Sequence, residues 1–145
     1  MIINSDLTLY NAYYNRETGL TEYHRTHIRG VNWQGAKKSE ISDKGLKNAD
    51  FANIYIPMTA DFEGKTYIGP RQYAQLDPTI VKGYFTFQSN DKVVKDVIYF
   101  EVTGKKGETL KDLERKYDDV LSVMSMIRWD KRMHSSLAHY HVGAQ

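Results

Sequence analysis

The sequence predicts a mainly β fold, a small barrel or sandwich of about seven or eight short strands with one short α-helix at about residues 109–117. The 145 residues include eleven tyrosines, five phenylalanines and two tryptophans, and aromatic side chains suit the pleated, half-buried surface of a strand. Short apolar stretches recur between turn-forming stretches, whereas helical periodicity occurs once. A chain of this length fits one hydrophobic core, so we predict a single barrel-like domain over residues 1–145.

The amino-terminal part of the chain predicts a hairpin followed by a polar segment. Apolar and aromatic residues flank the sequence NRETG, in which Asn15 and Gly19 suit a short turn with a left-handed residue. The stretch QGAKKSEISDKGLKNAD, residues 34–50, contains few large apolar side chains. It predicts either a long loop or an edge strand followed by a turn.

The middle of the chain predicts short strands and one helical turn. The stretch DFANIYIP alternates as a strand that Pro57 ends. A short extended piece at Thr66–Ile68 and a single helical turn after Pro70 follow, because proline suits the first position of such a turn. The stretch GYFTFQSNDKVVKDVIYFEVTG predicts two strands around SND, the second interrupted or bulged near Lys95 and Asp96.

The carboxyl-terminal part predicts a helix and two strands. In GETLKDLERKY, Thr109 can cap the helix and Asp112 lies three residues on, as in a capping box, while Leu110, Leu113 and Tyr117 have helical spacing. The stretch DDVLSVMSMIRW predicts a long strand with both faces partly buried. The closing LAHYHVG predicts the last strand.

Composition and charge argue against several classes of function. Twenty basic and eighteen acidic residues leave a formal net charge of +2, which is not the balance of a nucleic-acid-binding domain. The absence of cysteine excludes disulfides, thiolate metal ligands and cysteine nucleophiles. The start MIINSDLTLY does not resemble a signal peptide, and no stretch approaches the roughly 20 apolar residues that span a bilayer. We therefore expect a soluble protein, made in the cytoplasm, with no membrane partner.

Three of the five histidines, His134, His139 and His141, lie in the last twelve residues and suggest a metal site. On a strand His139 and His141 would point to one face, so the two imidazoles could share a metal with His134 as the third ligand. The competing interpretation is a strand face that carries polar residues. The sequence favours this second interpretation, because a short motif without structural context is weak evidence.

A second histidine pattern suggests an enzyme. Two-histidine phosphoesterases carry two copies of His-x-Thr/Ser on facing strands, where each histidine acts as an acid or base and each hydroxyl binds phosphate. The chain contains HRT at His24–Thr26 and HSS at His134–Ser136, but the second copy has the surroundings of a loop. Gly-rich phosphate loops, Gly-x-Ser-x-Gly elbows and His-Glu-x-x-His helices do not occur in the sequence. We therefore predict no catalytic residue, no enzymatic activity and no cofactor.

The basic residues suggest a third alternative, a barrel that binds single-stranded nucleic acid. Clusters such as Lys105–Lys106 and Arg115–Lys116 could form a patch beside aromatic strands such as GYFTF, on which bases could stack. Acidic residues are interleaved with nearly every basic cluster. Because clusters of mixed sign neutralise few phosphates, a solvated surface or a charged subunit interface is favoured.

Six stretches, taken in order, resemble one known family. They are TLYNAYYNRETGLTEYHRTHIRGVNWQG, SDKGLKNADFANIYIP, TYIGPRQY, GYFTFQSNDKVVKD, DDVLSVMSM and HYHVGA. They are similar to small proteins encoded in the head-to-tail gene clusters of tailed phages and prophages of Gram-positive bacteria, which are described as head-to-tail connector or minor capsid proteins. The resemblance runs over nearly the whole chain.

The resemblance implies a structural virion protein of the phage neck, a head-completion or stopper subunit assembled in the host cytoplasm. Such subunits would form a homo-oligomeric ring between a portal or adaptor protein and a tail protein, with DNA present only as the contents of the channel. A tail terminator, or another minor capsid protein of the same gene cluster, is the alternative. A closed ring needs two different surfaces on each subunit. The residues predicted to make oligomer or partner contacts are Lys37, Lys38, Lys44, Asn48, Arg128, Lys131, Arg132, His139 and His141.

Overall fold

The computed structural model describes residues 1–42, 45–130 and 137–145, with the backbone alone over 36–42 and 45–49. It confirms the mainly β prediction, because six antiparallel strands close into a barrel and a further two strands form a small parallel pair. The elements in chain order are β1 (Ser5–Asn15), β2 (Leu20–Ser42), β3 (Gly45–Pro57), β4 (Thr66–Tyr67), α1 (Pro70–Ala74), a 3-10 turn (Val81–Gly83), β5 (Tyr84–Phe85), β6 (Lys92–Lys95), α2 (Leu110–Lys116), β7 (Val120–Trp129) and β8 (His139–Ala144).

The barrel strands follow the order β1-β2-β3-β8-β7-β6. The predicted first hairpin is confirmed, since β1 and β2 pair without interruption from Asp6 opposite Arg29 to Asn15 opposite Leu20. Asn15 Oδ1 accepts a hydrogen bond from the Glu17 amide at 2.9 Å. Gly19 has a φ of 73°, a backbone conformation that glycine adopts without steric cost. These two residues set the turn that the sequence predicted.

The strands β2 and β3 are longer than the barrel wall. They pair as far as Ser42 opposite Gly45, whereas the pairing of β1 with β2 stops at Val31 and the pairing of β8 with β3 stops at Ala52. Residues 36–42 and 45–50 therefore continue beyond the barrel as a two-stranded ribbon, which we call the β2–β3 arm. Of the two predictions for residues 34–50, the strand is confirmed and the long loop is wrong.

The barrel interior holds one apolar core to which every barrel strand contributes. Aromatic residues from the connection between β4 and β6 complete it, because the Phe85 ring enters the core and stacks on Phe62 with ring centroids 4.9 Å apart. The buried members of this core are Leu7, Leu9, Ile28, Val31, Trp33, Ala52, Ile54, Ile56, Phe85, Phe87, Val93, Val123, Tyr140, Val142 and Ala144.

A second apolar cluster covers the outside of β1 and β6. Tyr10 follows Leu9 on β1 and so points away from the interior, where it packs with Val94, Ile98, Val102 and Leu113 of α2. The predicted helix and its capping box are confirmed, with Thr109 and Asp112 exchanging side-chain and main-chain hydrogen bonds. The break near Lys95–Asp96 is also confirmed, with Asp96 at a φ of 78°. The strand does not resume after this break, because residues 97–102 lie over the outside of the barrel.

Thr8 attaches this covering segment to the barrel, and its removal is a first test of the fold. The fully buried Thr8 hydroxyl donates to the Asp96 carbonyl at 2.8 Å and accepts from the Ile98 amide at 2.9 Å. The change Thr8→Val keeps the shape but leaves both main-chain groups without a partner. We expect the free energy of unfolding in urea to fall by about 2–4 kcal/mol. Thr8→Ser keeps the hydroxyl and is the control, so equal losses in both variants would contradict this role.

The strand β7 matches its prediction in its first half, where Val120 and Leu121 are partly buried on opposite faces, and differs from it in the second half. Both faces were expected to be partly buried, but Val123 is its one fully buried residue, while Met124, Ile127 and Trp129 are about half exposed. The pairing with β8 skips Met124, which marks a bulge. On the outer face Val120 packs against the second apolar cluster, whereas Ser125, Ile127 and Trp129 are exposed.

Among the helices of the described ranges, none has the length and apolar composition that a membrane span requires.

Candidate interaction surfaces

The outer faces of β3, β8 and β7 form one continuous surface. Register places Tyr55 opposite His141 and His141 opposite Ile127, while His139 lies opposite Trp129. The prediction that His139 and His141 share one face is therefore confirmed, and their neighbours Tyr140 and Val142 point into the core. We call this surface the outer wall. Its members are Asn53, Tyr55, Ile127, Trp129, His139 and His141.

The rings of the outer wall lie against one another in a row. Tyr55 stacks on His141 with centroids 4.5 Å apart and an interplanar angle of 18°. Trp129 and His139 are nearly parallel at 6.5 Å, and Tyr55 lies 6.0 Å from His139. Ile127 and Trp129 keep 50% and 48% of their surface exposed. Tyrosine and tryptophan side chains supply a large contact area to a partner at low conformational-entropy cost.

The two histidines of the outer wall also make polar contacts within the chain. His141 Nε2 lies 3.1 Å from Asn53 Oδ1, and His139 Nδ1 lies 2.8 Å from the Leu137 carbonyl. His134, the predicted third metal ligand, lies outside the described residues. Among the residues that the structure places, no three histidine, aspartate or glutamate side chains are arranged to hold a metal ion.

The HRT motif lies on β2. His24 Nε2 contacts Glu22 Oε1 at 3.1 Å, and its ring meets Tyr13 edge-on at 5.6 Å. Burial lowers the pKa of His24, although the neighbouring Glu22 acts in the opposite direction. The Thr26 hydroxyl accepts a hydrogen bond from Lys65 Nζ at 3.0 Å. The second motif of the phosphoesterase hypothesis, His134–Ser136, lies outside the described residues, so the structure describes one half of that constellation.

The predicted contact residues fall in three places. Arg128 lies on β7, where its Nε contacts Asp130 Oδ2 at 2.8 Å and its guanidinium group lies 5.4 Å from the Tyr67 ring centroid. The backbone of the β2–β3 arm carries Lys37, Lys38 and Asn48. His139 and His141 lie on the outer wall, and the other three, Lys44, Lys131 and Arg132, lie outside the described residues.

An open groove of about 1080 Å³ follows the first part of β2. Residues Leu20–Arg25 of β2 line the groove from one end to the other. Lys65 and Lys82 flank the side to which His24 points, and Glu101–Lys105 flank the side to which Arg25 points. No sequence motif indicated this groove, because its flanks come from three separate parts of the chain.

Residues 61–65 lie along the edge of β2 that faces away from β1 and bond the main-chain groups of Arg29 and His27 there. The side chain of Lys65, from the same segment, bonds the carbonyl of Arg25. The three contacts are a two-way main-chain bridge between Arg29 and Asp61 at 3.0 and 3.1 Å, the His27 amide donating to Glu63 Oε1 at 2.6 Å, and Lys65 Nζ donating to the Arg25 carbonyl at 2.7 Å.

This edge is open in the groove. Main-chain groups alternate in direction along an antiparallel strand. The amides and carbonyls of Thr21 and Tyr23 therefore point to the same side of β2 as those of Arg25. The amides of all three residues and the carbonyls of Thr21 and Tyr23 therefore point into the groove. None of these five groups has a hydrogen-bond partner in the part of the chain that the structure describes. The groove thus contains a short edge of unpaired β-strand.

A buried carboxyl group lies on the other side of β1. Asp91 Oδ2 accepts from Asn11 Nδ2 at 2.9 Å and Oδ1 accepts from the Ala12 amide at 3.1 Å, while Asn11 also bonds both main-chain groups of Thr86. Burial raises the pKa of Asp91 to about 6 and outweighs the hydrogen bonds that oppose it. The sequence indicated only a turn at SND. Asn11 and Ala12 lie 75 to 80 residues in the chain from their partners Thr86 and Asp91, so nothing local predicted their contact.

Comparison with known proteins gives one match. A family model described as a family of unknown function, DUF6751, covers residues 2–145. No curated protein and no solved structure shows significant similarity to the chain. Because the match extends over nearly the whole length, the chain belongs to the family DUF6751, whose function is unknown.

Proposed function

We propose that the chain is a structural subunit of a phage neck, a head-completion or stopper protein that forms a ring around the DNA channel. The β2–β3 arm is the observation that carries this proposal. The six barrel strands close on themselves and leave a short open edge at Thr21–Arg25 of β2, whereas both outer edges of the arm pair with no strand among the described residues. An open edge of this kind is a template for pairing with another chain.

A ring requires each subunit to present two unlike surfaces, one for each neighbour. The arm supplies one projecting surface, and the outer wall and the groove are candidates for the second. A portal or adaptor protein would contact the ring on one side and a tail protein on the other. The proposed role is mechanical, and none of its steps makes or breaks a covalent bond.

The charge of the chain supports a channel subunit. The net charge of +2 arises from clusters in which both signs alternate, and such clusters bind phosphates weakly. A strongly cationic subunit would hold the DNA that a neck has to release. Close packing of many copies is also easier when the subunits carry little net charge, because their mutual repulsion is small.

Deletion of the gene from its phage or prophage is the test of this function. A missing stopper leaves the portal open, so we expect tailless heads that have lost their DNA in electron micrographs, together with loss of infectious particles. A plasmid copy of the gene should restore tailed particles, and mass spectrometry should find the protein in them. Full heads beside tails of abnormal length would instead indicate a tail terminator. Normal infectious particles without the protein would overturn the proposal.

A further inference from the structure

We infer that the groove along β2 receives the β2–β3 arm of a second copy of the chain, which adds a strand to the open edge at Thr21–Arg25. This inference deepens the proposed ring and rests on it. The groove and the arm would then be the two unlike surfaces through which neighbouring subunits meet.

The spacing of the unpaired main-chain groups in the groove suits an extended strand better than a compact ligand. Its five unpaired main-chain groups belong to Thr21, Tyr23 and Arg25, alternate residues spaced about 7 Å apart along the edge. An extended peptide presents donors and acceptors at the same spacing, so it can pair with all of them, as in β-strand addition. The side chains that flank the groove lie on both sides of this edge, and one of them, Lys65, reaches the edge at its end, where it bonds the Arg25 carbonyl.

The arm has the matching features. Its β2 part, residues 36–42, and its β3 part, residues 45–50, each present a main-chain edge that no other described strand occupies. Seven residues of strand extend about 23 Å, which exceeds the roughly 17 Å of the edge from Thr21 to Arg25. Cations and anions occur in both partners. Main-chain hydrogen bonds would therefore contribute more to the contact than net charge.

The groove of a subunit cannot receive that subunit's own arm. Both features lie on the single strand β2, the groove at its beginning and the arm at its end. Fifteen residues separate Tyr23 from Lys38, about 50 Å along an extended strand. The arm must therefore come from another copy, and a contact between unlike surfaces generates a ring when the rotation closes.

The absence of cysteine from the native sequence allows a direct cross-linking test. The double variant Thr21→Cys/Lys38→Cys is treated with a short bismaleimide and separated on a denaturing gel. We expect a ladder of dimers and higher oligomers, because each copy would contribute its groove to one contact and its arm to another. The matched control Thr21→Cys/Arg71→Cys, with an exposed position outside both surfaces, should remain a monomer. Equal ladders, or none, would overturn the inference.

A proline variant tests the main-chain edge itself. Thr21 is exposed and its amide points into the groove, so Thr21→Pro removes a donor from the edge without removing a hydrogen bond to β1. We expect association, measured by analytical ultracentrifugation, to weaken at least about tenfold. Thr21→Ala keeps the amide and should associate as the native chain does. Circular dichroism checks that both variants fold, and equal association by both would contradict the role of the edge.

The two proposals fail differently. If the native chain stays monomeric at the highest concentration it reaches, the arm-in-groove contact is overturned, while presence of the protein in virions would still support a neck role. If the chain associates and cross-links as expected but is missing from virions, the neck function fails and the contact between copies stands.

Discussion

Replacement of Phe85 by alanine is expected to lower the free energy of unfolding by about 3–5 kcal/mol. The Phe85 ring is 1% exposed and meets three other aromatic rings, those of Phe62, Tyr67 and Phe87, at centroid distances of 4.9, 5.8 and 5.7 Å. Its removal would leave a cavity that stiff barrel strands cannot close. Urea unfolding followed by tryptophan fluorescence measures the loss.

Two further variants establish the cause of this loss. Phe85→Leu keeps most of the apolar volume and should cost only about 1–2 kcal/mol. Ile80→Ala removes a similar apolar side chain from a half-exposed position nearby in the sequence, and its effect should stay within about 0.5 kcal/mol. If Phe85→Ala cost no more than Ile80→Ala, the Phe85 ring would not be part of the barrel core.

Acidification is expected to stabilise the fold through Asp91. The pKa of about 6 in the folded chain lies above the ordinary value of 3.8, so the folded state binds this proton more tightly than the unfolded state does. The stabilisation is complete below pH 3.8 and is lost as the pH rises through 6. Linkage gives a change of about 3 kcal/mol from this one group between pH 7 and pH 3.

The variant Asp91→Asn isolates this contribution, because it cannot titrate but keeps an acceptor for the Ala12 amide. Asp77 and Asp112 have pKa values lowered by hydrogen bonds from Thr79 and Thr109, so they stabilise the fold above their ordinary pKa and this is lost as the pH falls. Both proteins contain these two groups, and the effect cancels in the difference. Urea titrations should show the native chain gaining stability over the variant from pH 7 to pH 4. A difference independent of pH would contradict a buried, ionisable Asp91.

Local signals in the sequence account for much of the fold. The turn at Asn15–Gly19 and the capping box of Thr109 and Asp112 depend on residues three or four apart, and each was predicted where it occurs. Residues 97–102 have the apolar character of a strand but cover the outside of the barrel. The polar composition of residues 34–50 indicated a loop as strongly as a strand. In both cases distant parts of the chain decided the outcome.

The candidate surfaces were predicted only in part. The alternation of a strand was enough to place His139 and His141 on one face. Their neighbours Tyr55 and Trp129 come from strands whose register a single sequence does not specify. The open edge at Thr21–Arg25 is less predictable still, because it results from where the neighbouring segment of residues 61–65 ends. A strand edge that lacks a hydrogen-bonded neighbour has no characteristic pattern in its own amino-acid sequence.

The continuity of β2 has a mechanical consequence for a ring of such subunits. A single strand of 23 residues runs from the groove to the end of the arm, so a pull on the arm passes along covalent backbone into the barrel wall. The hydrogen bonds to β1 and β3 lie across this direction, and they would be loaded together in shear and not opened one after another. A chain of arms seated in grooves would therefore act as a hoop that resists outward pressure along its strands.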